Sequence, residues 1–256
     1  MHKKREFYIL SLLTWAFVIG LWFIATNFGL VGTTLLPSPQ RVISAFFDLI
    51  ENGYNSTAFY VHFKTSMGRL GIALFFAILV AVPLGSLSGY FGKFRAITDS
   101  LVNFYRPLPP MAYYVLLIMW LGIDEESKVM LLYLAIFAPI YVASSSAVSR
   151  VKEEFILSAK TLGANPSQVF CRIIIPASLP DIFTGIRTAV GVGYTTLVSA
   201  EMIASTSGIG WMVMDAYNYL KTDIVFVGII IMGTTGIVID SLLRRLGDKI
   251  IHWAGK

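Results

Sequence analysis

The chain has 256 residues, 56% of them hydrophobic and 14% charged, with a net charge of +5 and a mean hydropathy of +0.71. A water-soluble domain carries about a quarter charged residues, so that class is excluded; a transmembrane β-barrel is excluded too, because it would show alternating segments of about ten residues. The single cysteine, Cys171, rules out an internal disulfide, and the sequence holds neither CxxC pairs nor zinc-ligand clusters.

The fold class this predicts is an all-α polytopic membrane protein, with residues 1–256 forming one transmembrane domain. Apolar runs of about 20 residues, each able to cross roughly 30 Å of hydrocarbon, predict spans near 7–29, 65–88, 101–122, 128–148, 183–204 and 223–244. The first run follows MHKKREFY and is longer than the roughly 7–15 residues of a secretory leader, with no A-x-A site after it, so a retained span is expected. The segment 37–52, PSPQRVISAFFDLIEN, offers Ser38 as an N-cap and Pro39 as the first helical residue. Val42, Ala45, Phe46 and Leu49 then share one face, which suggests a helix lying on the membrane surface.

The third span opens on RPLPP, where Pro107, Pro109 and Pro110 cannot continue a regular helix. Two readings stand for this place: Arg106 snorkelling at an interface, or a helix break lining a pathway. From Lys152 to Leu162 the pattern is helical, with Phe155, Ile156, Ala159 and Leu162 on one stripe. Gly163 is placed to end that helix in a left-handed conformation. Asn165, Pro166 and Gln168 have the spacing of an N-cap, a first helical residue and a capping box, and this second short helix is expected to stop before Pro176. The stripe could meet lipid headgroups, the protein's own spans or a groove on a partner protein.

In span five, Gly191, Gly193, Thr195 and Thr196 give a small, weakly polar surface suited to helix packing. If that span lines a pathway, Thr195, Thr196 and Ser199 are its hydrogen-bond donors. Glu201 lies in the outer half of the same span, where an acid costs about 2.5–3.5 kcal/mol and so should face protein or water. It reads either as a structural carboxylate, paired with Arg69 or Lys64 or lying near the interface, or as a gate. Arg187 and Asp240 read as an ion pair. Residues 205–222, with Gly208, Gly210, Trp211, Tyr217 and Tyr219, suggest a short re-entrant or surface helix.

With the N-terminus inside, 15 of the 20 Lys and Arg fall on the inner side and 5 on the outer. The positive-inside rule then places both termini, and the loop 149–182, in the cytoplasm. His2, His62 and His252 lack metal spacing, and Ser144 to Ser146 have no His/Asp partners suggesting a nucleophile, so neither a metal site nor a catalytic site is expected. No G-x-x-x-x-G-K-[ST] phosphate loop occurs; GYFGK, Gly89 to Lys93, lacks the length and the hydroxyl.

Gly163, nine intervening residues and Ile173-Ile174-Ile175-Pro176 resemble the cytoplasmic EAA loop of ATP-binding-cassette importer permeases. Leu157-Ser158-Ala159 departs from E-A-A, and Ile175 stands where the pattern has leucine. The stretches LLPSPQRV, FYRPLPPMAYYVLLIMWLGI, YLAIFAPI, GVGYTTLVSAEMIASTSGIGWMVMDA and LKTDIVFVGII are similar to the nitrate/sulfonate/taurine branch of these permeases. The resemblance implies the type I importer permease fold in a bacterial inner membrane, and import of a small sulfonate such as taurine, or of an alkanesulfonate, nitrate or bicarbonate. It implies as partners a second copy of the chain, two ATPase subunits that bind the ATP and Mg, an external solute-binding protein and lipid, with no cofactor in this chain and no nucleic acid. Phe155, Ile156, Ala159, Leu162, Gly163 and Ala164 would then form the helix that couples to the ATPase. A stand-alone secondary transporter would instead show paired broken helices in inverted repeats, and no such repeat is evident. A membrane enzyme would need a catalytic constellation, and none is found.

Overall fold

This computed structural model describes residues 2–253. Lys256, and the side chains of His2, Lys3, Lys4 and Arg5, lie outside the described residues. Among those described the protein is helical, with no strand. Five helices are long and apolar enough to cross a membrane: Ile9–Asn27, Phe59–Tyr90, Glu125–Ser149, Pro166–Ala204 and Thr222–Ile250.

The helices run in order as α1 (His2–Asn27), α2 (Pro39–Asn52), α3 (Phe59–Tyr90), α4 (Gly92–Tyr105), α5 (Pro110–Leu121) and α6 (Glu125–Ser149). There follow α7 (Glu153–Thr161), α8 (Pro166–Val169), a π-helical turn (Phe170–Ile174), α9 (Ile175–Ala204), α10 (Ile209–Asn218) and α11 (Thr222–Ile250). The expected third span, 101–122, is divided between α4 and α5. Pro109 takes an extended conformation (φ −58°, ψ 130°), as a residue before another proline prefers. At 1.5 Å per residue, α5 is only about 18 Å long.

The core is α3 against α6, with α9 packed on α6 and also touching α3. Ala73, Ala77, Ala81 and Gly85 recur every four residues on α3 and are all buried. Small side chains at that spacing form a flat stripe that lets two backbones approach closely. Toward one end this apolar contact gives way to a polar cluster. The Tyr141 hydroxyl donates to Asp99 Oδ1 at 2.7 Å and lies 2.8 Å from Ser88 Oγ. Arg95 Nε reaches the other oxygen of Asp99 at 3.0 Å. Through these bonds α4 is fixed to α3 and α6.

One expectation about a surface helix is corrected, and of the two alternatives for residues 205–222 one is removed. Val42, Ala45 and Leu49 of α2 are buried, but with Ile209, Met212, Ala216, Ile224 and Val227 of α10 and α11. Lipid does not cover this face, and Phe46 sits off it, 36% exposed. Ser38 does cap α2, accepting from the Arg41 N–H. The segment after Glu201 is not a surface helix either: Ile209, Met212, Val213 and Ala216 of α10 are buried against its neighbours. An apolar face alone does not reveal whether lipid or protein covers it.

The helix begun at Pro166 does not stop before Pro176 but continues to Ala204, so the expected span from 183 starts earlier. Proline lacks an N–H and crowds the carbonyl four residues back. Here the π turn absorbs the misfit. Ile175 N–H bonds to Phe170 O, five residues back, and Pro176 falls in the first turn of the next regular stretch, where no N–H is required.

Candidate functional site

Three places carry the polar and exposed groups with functional potential. The first is the loop around α7. Glu153 and Glu154 lie in the first turn of α7 and Lys160 in its last, which complements the helix dipole. The chain then turns at Gly163 (φ +83°). Gly163 N–H bonds to Lys160 O at 2.9 Å and Ala164 N–H to Ala159 O at 3.0 Å, the two bonds of a Schellman motif. Asn165 Oδ1 accepts from Gln168 N–H at 2.8 Å, and Gln168 Oε1 accepts from Asn165 N–H at 2.9 Å. This reciprocal capping box fixes the start of α8.

The expected stripe on α7 divides. Ala159 is buried and Ile156 half-buried, packed with Tyr90, Val148, Val169, Phe170 and Ile174. These residues clamp α7 to the ends of α3 and α6 and to the head of the α8–α9 helix. Phe155 (52% exposed), Leu157 (52%) and Leu162 (89%) point away from the chain. Ala164 is half-buried beside Ile156. The helix therefore has a mounted side and a bare apolar edge.

The second place is a charge cluster on α3, α6, α9 and the α9–α10 loop, enclosed at Arg69 and Glu201 and open at Glu125. The Glu201 carboxylate accepts from Ser66 Oγ at 2.7 Å, Arg69 Nη1 at 2.7 Å and Gly210 N–H at 2.9 Å. Arg69 Nη1 also donates to Ser207 O at 2.9 Å, and Ser66 Oγ accepts from Ile209 N–H at 2.9 Å. Next to it, His62 Nδ1 accepts from Gly208 N–H at 3.3 Å, and its ring stacks on Trp211. Gly208 has φ +120°, and a Cβ there would overlap the Glu201 carboxylate. The opposite edge of Arg69 holds Glu125, through Nε and Nη2, both at 2.6 Å. Of the two cations considered for Glu201, Arg69 is the partner; Lys64 is exposed.

The third place is the face of α9. Thr195 is exposed and donates to Val192 O at 2.9 Å, and Ser199 donates to Thr195 O at 3.1 Å. Thr196 faces the interior, 6% exposed, and donates to Val192 O. The structure therefore does not bring Thr196 to the surface that Thr195 and Ser199 share. Arg187 Nη2 meets Asp240 Oδ1 at 2.8 Å, the ion pair the sequence suggested. Ser66 and Glu125 were not singled out in the sequence, and Gly208 and Gly210 were read only as part of a short helix, not as neighbours of Glu201. The one local signal was the Gly-Ile-Gly step a few residues after an intramembrane acid.

The geometry is that of a multi-pass helical membrane protein with a clamped, partly bare loop helix on one side and a buried charge cluster toward the other. Residues 81–252 match the family described as "binding-protein-dependent transport system inner membrane component", and the chain belongs to that family. It is 37% identical to the taurine transport system permease protein TauC of Escherichia coli over 96% of this chain and 90% of that one. It is 32% identical to a putative aliphatic sulfonates transport permease protein of Bacillus subtilis over 98% and 90%. With the nitrate import permease protein NrtB of Synechocystis it shares 26% over 84% and 80%. Structures of the MetNI methionine ABC transporter in inward-facing conformations superpose with a TM-score of 0.61 at 16% identity, covering 75% of this chain and 94% of that one. The fold is thus that of a type I ATP-binding-cassette importer permease, and the protein is a multi-pass inner-membrane protein.

Proposed function

We propose that this chain pairs with a second copy to form the translocation path of an ATP-driven importer for a small sulfonate, taurine first, with alkanesulfonate, nitrate and bicarbonate as the alternatives. The names of the relatives support the sulfonate: taurine and aliphatic sulfonate permeases lie at 37% and 32% identity, a nitrate permease at 26%. Alkanesulfonate, nitrate and bicarbonate are net anions and need an energy source to move inward against a negative-inside potential; taurine is a zwitterion and needs one only to move up its concentration gradient. With no phosphate loop in this sequence, ATP and Mg are held by two separate ATPase subunits, and a soluble protein outside delivers the solute.

The observation that carries the reading is the mounting of α7. Ile156 and Ala159 anchor it to the ends of α3, α6 and the α8–α9 helix, while Phe155, Leu157 and Leu162 stay bare. An ATPase gripping the bare edge would move three spans at once. In this reading α7 and both termini face the cytoplasm, Gly163 is the bend of the lever, and Ala164 supports it from within. Thr195 and Ser199 face the path, and Thr196, being buried, does not. Glu201 is assigned a structural role: its oxygens are already engaged by Arg69, Ser66 and Gly210, and it is sealed from any path, 1% exposed.

The test is reconstitution in proteoliposomes. The chain together with a cassette ATPase and a binding protein should take up taurine only when ATP is supplied. Uptake by the chain alone, driven by an ion gradient, would replace this reading with that of a secondary transporter.

A further inference from the structure

Arg69 divides its guanidinium between two carboxylates in unlike settings. Glu201 on one edge is 1% exposed, whereas the side chain of Glu125 on the other is 57% exposed; Arg69 itself is 3% exposed. If the inner bond opened, Arg69 would keep Glu125, but the Glu201 charge would be left without its cation in a space sealed from water. When the outer bond opens, Glu125 still has Lys128 Nζ 3.6 Å from its Oε1, and its exposed side chain meets solvent. A groove of about 590 Å³ runs from Glu125 and Glu126 along the apolar flank of α3 and α6, past Phe76, Val80 and Met130, so the outer side of the pair is not packed against protein. The two bonds thus form a fixed tie and a releasable one on a single cation.

The releasable tie sits at a joint. Glu125 is the first residue of α6, directly after the turn 122–124 that ends α5. Lys128 Nζ stiffens that turn from within α6, donating to Ile123 O at 2.9 Å and Asp124 O at 3.1 Å. At its other end α5 meets the break at 106–109. Tyr114 and Leu117 seat α5 on α6 and α9, while Val115, Met119 and Trp120 are exposed. The α5 helix is therefore a short rod between two joints, and the Arg69–Glu125 pair is the ionic bond that pins its far joint to α3.

We infer that the Glu125–Arg69 bridge is a latch on the α5–α6 turn that opens during the transport cycle, and that Glu125 is a positioning residue coupling ATP use to solute passage. This rests on the importer reading above. In the closed state the turn is held to α3. Release frees α5 to swing, while Glu201 keeps Arg69 and the α9–α10 loop in place.

Glu125→Gln preserves size and removes the charge. In proteoliposomes with ATPase and binding protein, it should raise ATP hydrolysis in the absence of solute several-fold and lower the taurine taken up per ATP several-fold. A pair that serves stability alone would leave both quantities unchanged, and that result overturns the latch. Wild-type protein run in parallel tests the importer reading separately, since absence of ATP-driven uptake there strikes at transport itself. If Glu125→Gln does not assemble, the latch is read in otherwise wild-type protein carrying Glu126→Cys and Cys171→Ser. Labelling of that cysteine by an impermeant maleimide should change several-fold between the resting state and the state trapped with a non-hydrolysable ATP analogue. Equal rates overturn the proposal.

Discussion

Arg69 and Glu201, 132 residues apart, meet at 2.7 Å with both side chains almost fully enclosed. Removing one partner of a buried pair costs about 3–5 kcal/mol when the other charge is left bare; Arg69 retains Glu125, so the loss of Glu201 falls below that range but still strips the acceptor from Ser66 and Gly210. Glu201→Leu is therefore expected to reduce folded protein in the membrane and to lower the melting temperature in detergent markedly. Adding Arg69→Met should restore only part of the loss. The Gly210 N–H and the Ser66 hydroxyl would still lack their acceptor, and an unmade buried hydrogen bond costs about 1–3 kcal/mol. Full recovery in the double variant would show that the carboxylate does not hold the α9–α10 loop.

Gly163 and Gly208 both adopt positive φ, yet their surroundings differ. A Cβ at Gly163 meets nothing within 4 Å, whereas at Gly208 it strikes Glu201. Gly163→Ala should lower stability by about 1–2 kcal/mol, the strain of a left-handed residue alone, and Gly163→Asn by less, since asparagine tolerates that region. Gly208→Ala adds a collision at the enclosed side of the charge cluster and should lose more than either. Melting temperatures of the three variants, taken side by side, check the order; a Gly208→Ala protein as stable as Gly163→Ala would contradict the packing described.

On α7 the exposed and buried positions should separate cleanly. Phe155→Ser and Leu162→Ser alter residues that touch little of their own chain, so the melting temperature should hold while co-purification with the ATPase falls. Ile156→Ser and Ala159→Asp enter the cluster with Val148, Val169 and Ile174, so these should unfold the loop first and lose the ATPase as a consequence. Measuring both quantities on all four variants separates docking from folding. Loss of stability at Leu162, 89% exposed, would refute the assignment.

The contrast between α7 and the charge cluster shows what the sequence could reveal. The bend at Gly163 and the capping box at Asn165 and Gln168 are set by residues within five positions of one another, so spacing alone discloses them. The split of the α7 stripe, the covering of α2 by α10 and α11, and the meeting of Ser66, Arg69, Glu125 and Glu201 depend on which helices become neighbours. Nothing local encodes that. The passage of one helix through Pro176 was hidden for another reason: the π turn before it has no signature beyond the proline it accommodates.

Tyr54 supplies a prediction in pH. Its hydroxyl donates to Asp215 Oδ2 at 2.8 Å, and Asn55 Nδ2 donates to the same oxygen at 2.9 Å. Burial first, and then the bond and negative charge of Asp215, push the Tyr54 pKa up from its usual value. A group whose folded pKa lies above its unfolded one contributes its full share of stability below the unfolded pKa, about 10 for tyrosine. That share is lost as pH rises from there through the folded value. At neutral pH Tyr54→Phe should cost about 1 kcal/mol, the net worth of the hydrogen bond, because the loop between α2 and α3 loses one of its two ties to Asp215 of α10. The gap between variant and wild type should stay constant up to about pH 10 and then narrow, since only the wild-type chain gains from ionising this phenol on unfolding. Paired melting curves across that range check it. A gap that widened in alkali would mean that the Tyr54–Asp215 bond is not made in the folded protein.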